Sequence, residues 1–212
     1  MKINHKKGNN FGWFFGGRHY DFFAMILGFG HSYYEQVASV LPLEKKMSVL
    51  DIGCGTESVG IAISELMGGD VIVHGLDLSD VQLGYAADKG RKAGVSLNLY
   101  RGSMDMLPFK NGVFDLVVTS VAFCETTSDV RKGAIGEVSR VLKDNAYFAI
   151  VDCAKPLLGM DTVMMLPFFM FKENADSWNN HYPDICRDNN LVLEKDVYLK
   201  SYVKCQLFRK AD

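Results

Sequence analysis

From about residue 47 onward, short apolar segments alternate with longer segments of helical periodicity, and this alternation limits the possible folds strongly. The segment "MSVLDIG" is stopped by a glycine and predicts a buried strand. "SVGIAISELMGG" follows with helical spacing and ends in a glycine pair. Strand-like and helix-like segments continue in turn as far as "AYFAIVDC". This order predicts a parallel sheet that carries helices on both faces.

The last two predicted strands do not follow this alternation of strands and helices. "LVLEKDVYL" and "YVKCQLFR" both read as strands, but only a few residues near Lys200 join them. A parallel crossover needs a longer connection, so the last strand must run antiparallel to its neighbour. We therefore predict an α/β fold: a Rossmann-like three-layer α/β/α sandwich whose seven-stranded sheet is mostly parallel and has an antiparallel last strand.

The chain length of 212 residues suits one α/β domain with a full core. Residues 1–45 are aromatic, glycine-bearing and helical in pattern, and we expect them to form a cap or lid of the same domain. Residues 46–212 would form the sheet domain. "MMLPFFMF", at 164–171, lies where this kind of fold inserts elements that cover a substrate, although it could equally form a dimer contact or part of the core.

Composition excludes several classes of protein. A net charge of −2 gives no basic face for nucleic acid. Met1–Asn10 is not followed by an apolar stretch, so we expect no signal peptide, and no apolar run approaches the roughly twenty residues of a transmembrane helix. The five cysteines form no CxxC pair, which predicts reduced thiols in a cytoplasmic protein. No His/Cys group has the spacing of metal ligands, so we expect no metal.

The turn "VLDIGCGTES" is the strongest candidate for a ligand site. Gly53 and Gly55 allow a tight turn and a close approach of the backbone to a ligand. The helix that follows presents free N–H groups at its start. Asp77 closes the next strand, where a carboxylate can accept both hydroxyls of a ribose. These features predict a nucleoside cofactor.

Two nucleoside cofactors fit this turn. A nicotinamide dinucleotide favours G-x-G-x-x-G, and Ser58 is a small residue at the third position. S-adenosylmethionine has no phosphates and carries a cationic sulfonium and ammonium. Asp51 before the turn and Glu57 after it would repel a pyrophosphate and attract a cation. The charges therefore favour S-adenosylmethionine.

Five motifs extend this argument along the chain. "VLDIGCGT", "GLDLS", "GSMDMLPF", "FDLVVTS" and "EVSRVLK" follow one another over residues 49–143. In order and spacing they resemble the class I S-adenosylmethionine-dependent methyltransferases. The segment "YDFFAMILGFGHSYY" is similar to the start of the menaquinone and ubiquinone biosynthesis C-methyltransferases. The predicted antiparallel last strand agrees with the fold that the resemblance implies.

The resemblance implies a role for most residues of the motifs. The methionine part of the cofactor would lie against Asp51, Gly53 and Gly55, and Asp77 would bind the ribose. Leu78 would pack on the adenine, Ser103 would accept a hydrogen bond from its amino group, and Met104 would cover the ring. Thr119 and Ser120 would line the path to the substrate. The implied cofactor contacts are completed by Tyr20, Cys54 and Gly102.

Methyl transfer is an in-line displacement, and a base is needed only if the acceptor must lose a proton. His19, His31 and Glu125 are the candidates for that base, with Tyr20 a further one. We expect a small, apolar or quinone-like acceptor, and the chain could form a homodimer. A nicotinamide oxidoreductase is discounted because the later motifs fit it poorly.

Three departures from the family pattern keep an alternative open. Glu57 stands at the third glycine, Asp144-Asn145-Ala146 replaces Pro-Gly-Gly, and Cys124-Glu125 replaces a histidine pair. The alternative is a regulatory protein that binds S-adenosylmethionine or S-adenosylhomocysteine without catalysis.

Overall fold

The structure is a computed structural model, and it describes Met25, residues 28–157 and residues 182–211. Four sequence features lie outside these residues: His19, Tyr20, "MMLPFFMF" and most of the expected N-terminal cap. In the part of the chain that is described, no helix is both long and apolar enough to cross a membrane.

The described residues form helices and strands in the predicted alternation. The helices are α1 (His31–Val40), α2 (Ser58–Leu66), α3 (Asp80–Ala93), α4 (Ser128–Val141) and α5 (Tyr182–Arg187). The strands are β1 (Ser48–Ile52), β2 (Ile72–Asp77), β3 (Leu97–Arg101), β4 (Phe114–Ser120), β5 (Leu142–Cys153), β6 (Leu191–Lys200) and β7 (Val203–Lys210). A short 3-10 turn, Phe123–Glu125, follows β4.

All seven strands join in one sheet, in the order β3-β2-β1-β4-β5-β7-β6. Strands β1 to β5 are parallel, whereas β7 lies between β5 and β6 and is antiparallel to both. The predicted fold is confirmed, including its antiparallel last strand. The strand order reverses at β1, with β2 on one side and β4 on the other. The carboxyl ends of these strands are where an open α/β sheet binds ligands.

Alternate strand residues pack into two cores, one on each face of the sheet. Leu50 and Ile52 of β1 belong to the core beneath α4, whereas Val49 belongs to the core beneath α1 and α2. Such period-two alternation with apolar residues on both faces is expected of a sheet that is covered on both sides. Part of the first 45 residues is helical, since α1 lies there. The buried face of α1 is formed by Tyr33, Val37 and Ala38.

Several local signals act as the sequence predicts. Ser79 caps α3, its hydroxyl accepting a hydrogen bond from the N–H of Gln82 at 3.4 Å, and Gly94 ends that helix with φ of 71°. Asn145 takes the left-handed conformation, with φ of 62°, that the missing glycines would otherwise supply.

The end of β4 differs from expectation. The apolar pattern of "FDLVVTSVAF" predicts a strand as far as Phe123, but β4 ends at Ser120. Val121 has a φ of 53°, a left-handed conformation that is rare for a β-branched residue. Its N–H still donates to Val151 O at 2.8 Å, so the chain turns sharply while it remains attached to β5. This strained turn lies at the ligand-binding edge of the sheet, where such strain is common.

Candidate functional site

The turn between β1 and α2 is folded against the end of β2. The N–H groups of Gly53 and Cys54 both donate to Leu76 O, at 2.7 and 3.1 Å. Gly53 has a φ of 73°, and a methyl group there would lie 2.6 Å from Cβ of Ala122. Gly55 has a φ of 53°, and a Cβ there would meet no atom within 4 Å. The turn is therefore packed on the Gly53 side and open at Gly55, where a ligand could approach the backbone.

Asp77, at the end of β2, ties this turn in place. Its Oδ2 accepts a hydrogen bond from Gly55 N at 2.9 Å, and its Oδ1 accepts one from Ser79 N at 2.8 Å. Burial raises the pKa of the Asp77 carboxyl, and hydrogen bonds from Ser79, Gly55 and Leu78 oppose that rise. Each carboxylate oxygen has a second lone pair, so both can still accept a hydroxyl. The geometry fits a ribose held beside the turn.

Asp51 supplies a second carboxyl beneath the turn. It is buried, and in the described structure its Oδ1 has no hydrogen-bond partner. Burial raises the pKa of Asp51, and the neighbouring carboxyls of Glu57 and Asp77 raise it further. A buried acceptor of this kind is costly unless a donor or a cation satisfies it. Asp51 therefore fits a ligand that brings an ammonium or sulfonium charge.

Glu57 precedes α2 in the left-handed conformation, with φ of 59° and ψ of 36°. Its carboxyl is fully buried between α2 and β2, where Gly60 and Gly75 leave room for it. A side chain at either glycine would overlap the Glu57 oxygens. The acid therefore points into the helix–strand interface and not into the open side of the turn. Glu57, Gly60 and Gly75 therefore share one space between α2 and β2.

The environment of Glu57 favours its protonated form. Burial, together with Asp77, raises its pKa to about 8, although Cys54 and Lys89 partly oppose this. Within the described residues neither carboxyl oxygen has a geometrically acceptable hydrogen-bond partner. A protonated Glu57 exerts little repulsion on a phosphate. The pKa values of Asp51 and Asp77 are raised as well, so the expectation that the acids of the turn favour a cationic ligand stays a prediction.

The ends of β2 and β3 form the adenine side of the candidate site. Gly102 N donates to Asp77 O at 3.0 Å, which brings the segment after β3 against the turn. Met104 is buried, and its Cε would lie 3.1 Å from a Cβ at Gly53. The Ser103 hydroxyl donates to the Asp105 carboxylate, which leaves the hydroxyl oxygen able to accept. The sequence reasoning missed Asp105, whose signal is the acid in "GSMDMLPF".

Thr119 and Ser120 close β4 on the other side of the turn. Both hydroxyl oxygens are buried, and neither has a hydrogen-bond partner among the described residues. Unsatisfied hydroxyls at a strand end are consistent with groups that bind a ligand. The predicted cofactor contacts that the structure describes thus lie at the ends of four neighbouring strands. Their individual roles stay predictions.

The candidate bases lie on different elements. His31 begins α1, is exposed, and lies 3.4 Å from Glu35 Oε1 through its Nε2. It lines a surface pocket together with Met25, Phe29, Gly30, Tyr34, Ser58, Ile61 and Lys89. Glu125 is half-buried in the 3-10 turn after β4, with its Oε1 4.0 Å from Cys124 Sγ. Neither placement assigns a catalytic role, and both stay predictions.

A Tyr-x-x-x-Lys spacing, which is typical of one class of nicotinamide oxidoreductases, does occur at Tyr85 and Lys89. Both residues belong to α3, outside the sheet. Tyr85 is 41% exposed, and Lys89 Nζ donates to Ser58 Oγ at 2.6 Å. The pair therefore does not lie at the carboxyl end of β4 or β5.

Sequence comparison finds a family match in the middle of the chain. Residues 49–145 match the family described as methyltransferase domain. An uncharacterized methyltransferase of Synechocystis is 38% identical over 122 residues, which cover 55% of this chain and 54% of that protein. A demethylmenaquinone methyltransferase of Listeria welshimeri is 28% identical over 123 residues, covering 58% of this chain and 51% of that protein. The chain thus spans about half the length of these curated relatives.

Structural comparison agrees with the sequence. A SAM dependent methyltransferase from Aquifex aeolicus superposes with a TM-score of 0.69 at 20% identity, covering 84% of this chain and 89% of that one. The match extends the shared fold well beyond residues 49–145. Residues 49–145 of this chain are thus similar to a methyltransferase domain, and the chain shares the Rossmann-like fold of a solved SAM dependent methyltransferase.

Proposed function

We propose that this chain transfers the methyl group of S-adenosylmethionine to a small, apolar or quinone-like acceptor. The observation that carries the proposal is the turn itself: it is open at Gly55, is held by Asp77, and has the unpartnered Oδ1 of Asp51 beneath it. Asp77 could hold the ribose of either nucleoside cofactor, but a turn shaped for a pyrophosphate would gain nothing from the carboxyl of Asp51. The matched methyltransferase family supports the same cofactor.

The cofactor supplies an activated methyl group, and this chain's residues would bind and orient it. Asp77 would accept hydrogen bonds from the ribose hydroxyls, and Asp51 would oppose the positive charge of the methionine part. Leu78 and Met104 would contact the adenine, with Ser103 near its amino group. Thr119 and Ser120 would face the acceptor. Because displacement from a sulfonium releases a neutral sulfide, orientation can supply most of the rate enhancement.

The acceptor class is supported by two independent observations. One matched relative is named a demethylmenaquinone methyltransferase. In addition, Phe29 packs edge-on against Tyr33 at 4.9 Å and Tyr202 at 6.1 Å between ring centroids. Tyr33 in turn is buried beside Ser120, so this aromatic cluster lies next to the end of β4. Aromatic and apolar walls with a few polar groups are typical of sites for ring-shaped ligands.

The alternative, a binding protein without catalysis, is motivated by Glu57 and by the missing histidine pair after β4. The structure buries that carboxyl between Gly60 and Gly75, away from the open side. Glu57 therefore gives no reason to expect an occluded cofactor site.

The activity is tested with S-adenosylmethionine labelled in its methyl group and a panel of reduced naphthoquinones and benzoquinones. We expect label in an organic-soluble product, and we expect Asp77→Ala to reduce its formation. Label transferred to none of the acceptors, by a protein that binds the cofactor, would support the alternative and contradict the proposed reaction.

A further inference from the structure

Three potential metal ligands that are far apart in the sequence meet at the ends of β4 and β5. Cys124 lies in the 3-10 turn after β4, and Asp152 and Cys153 end β5. All three residues are buried, and one ligand atom from each lies within 4.8 Å of the others. Spacing along the chain gives no hint of this group, because the parallel pairing of β4 with β5 creates it.

The distances suit one tetrahedral ion. Two thiolates bound to the same Zn²⁺, each at about 2.3 Å, are separated by about 3.8 Å. The two sulfur atoms could reach this separation from their present positions by side-chain rotation or a small shift of the turn. The Glu125 carboxylate approaches this group on one side only, with its Oε1 4.0 Å from Cys124 Sγ.

The surroundings orient the central carboxylate. Asp152 Oδ1 accepts a hydrogen bond from Cys153 N at 2.8 Å, and Asp152 Oδ2 accepts one from the Tyr182 hydroxyl at 3.0 Å. Hydrogen bonds of this kind fix the ligands in many metal sites. The Cys124 thiol currently faces Val121 O at 3.6 Å and the Glu125 carboxylate.

Charge and buried polar groups add independent support. Two thiolates and one carboxylate would leave a divalent site with excess negative charge. Arg131 is buried beside Tyr182 and is fixed by the carbonyl oxygens of Phe123 and Thr126, at 3.1 and 2.5 Å. The Tyr33 hydroxyl is buried close to Ser120, Cys153 and Asp152.

We propose that Cys124, Asp152 and Cys153 bind a zinc-like divalent cation at the ends of β4 and β5. Mixed thiolate and carboxylate ligands favour such a borderline-soft ion over magnesium or calcium. The inference does not depend on the proposed function, since binding of the ion can be measured without cofactor or acceptor.

The test titrates the full, reduced and metal-free chain with Co²⁺, a spectroscopic substitute for zinc. We expect thiolate-to-cobalt charge-transfer absorption that saturates at one equivalent and disappears when Zn²⁺ is added. Cys124→Ser and Cys153→Ser should each weaken Co²⁺ binding by about 100-fold or more, and Tyr182→Phe by about 10-fold through the misoriented carboxylate.

Cys186→Ser and Cys205→Ser provide matched controls, because both thiols are buried but lie outside the group. These variants should keep the wild-type spectrum. Far-ultraviolet circular dichroism, recorded before the metal is added, separates lost ligands from lost folding, and alanine variants replace any serine variant that fails it. An absent charge-transfer band in the reduced wild type, or an unchanged band in Cys124→Ser and Cys153→Ser, would overturn the proposal.

Discussion

Glu57 shows how one buried acid can determine a pH dependence. Its folded pKa of about 8 exceeds the value of about 4.3 expected in an unfolded chain. The native state therefore binds the proton more tightly, and the stabilisation from it is complete below about pH 4 and is lost as pH rises toward 8. Asp51 and Asp77 are shifted in the same direction, so only a comparison with a Glu57 variant isolates its share.

We predict that Glu57→Gln removes the contribution of Glu57 to the pH dependence of stability, because glutamine has a similar shape but does not titrate. Between pH 5 and pH 8 the free energy of unfolding of the wild type should fall by about 2–4 kcal/mol more than that of the variant. Urea unfolding at four pH values across this range measures the difference. Parallel profiles for the two proteins would mean that Glu57 is not protonated in the folded state.

The room that Gly75 leaves for Glu57 gives a second prediction. A Cβ at residue 75 would overlap the Glu57 carboxyl and would lie 3.0 Å from Cys54 Sγ. Gly75→Ala should therefore destabilise the wild type by about 2 kcal/mol or more, as overpacking does. In a Glu57→Gly background the same change should cost clearly less, which a double-mutant cycle of unfolding free energies measures.

Gly84→Ala is the control for that cycle, because a Cβ at this α3 position meets nothing within 4 Å. It should be neutral or slightly stabilising in both backgrounds. Equal costs for Gly75→Ala with and without Glu57 would show that the two residues do not share the space.

At the scale of elements, Asp77 joins β2 to the turn and to α3. We predict that Asp77→Ala weakens S-adenosylhomocysteine binding by about 1–3 kcal/mol through lost hydroxyl bonds, with any loosening of the Gly55 turn adding to this. Isothermal titration calorimetry on both proteins measures the change. Asp80→Ala is a suitable control, since that acid pairs on the surface with Arg101 at 2.7 Å. An unchanged affinity in Asp77→Ala would remove Asp77 from the site.

The elements themselves could largely be predicted from the sequence, because their signals are local. Period-two and helical patterns, the Ser79 cap and the short connection near Lys200 each need only neighbouring residues. The end of β4 could not be predicted, since Val121 takes a left-handed conformation against its own preference. Tertiary contacts, such as the bond from its N–H to Val151 O, decide it.

Some features of the candidate site could likewise be predicted from the sequence, and others could not. Asp51, Gly53, Gly55 and Asp77 could be predicted because a strand, a turn and a strand end fix them. The direction of the Glu57 side chain could not, because it requires Gly60 and Gly75 to face each other across two elements. The proximity of Cys124 to Cys153 likewise depends on the register between strands.

At the scale of the whole molecule, one sheet edge gathers the turn, the strained end of β4 and the three-residue thiol and carboxylate group. The turn and the end of β4 belong to the matched methyltransferase domain of residues 49–145, whereas Asp152 and Cys153 lie beyond it. Cofactor binding and acceptor choice are therefore expected to respond to different substitutions. Asp77→Ala should change cofactor affinity, and Glu57→Gly should leave it unchanged or slightly improved.

The central claim is that this turn binds a sulfonium nucleoside, and calorimetric titration of the wild-type chain tests it most directly. We predict saturable, one-to-one binding of S-adenosylmethionine and S-adenosylhomocysteine, and no comparable heat with NAD. Binding of NAD, with no heat from either sulfur nucleoside, would contradict the account.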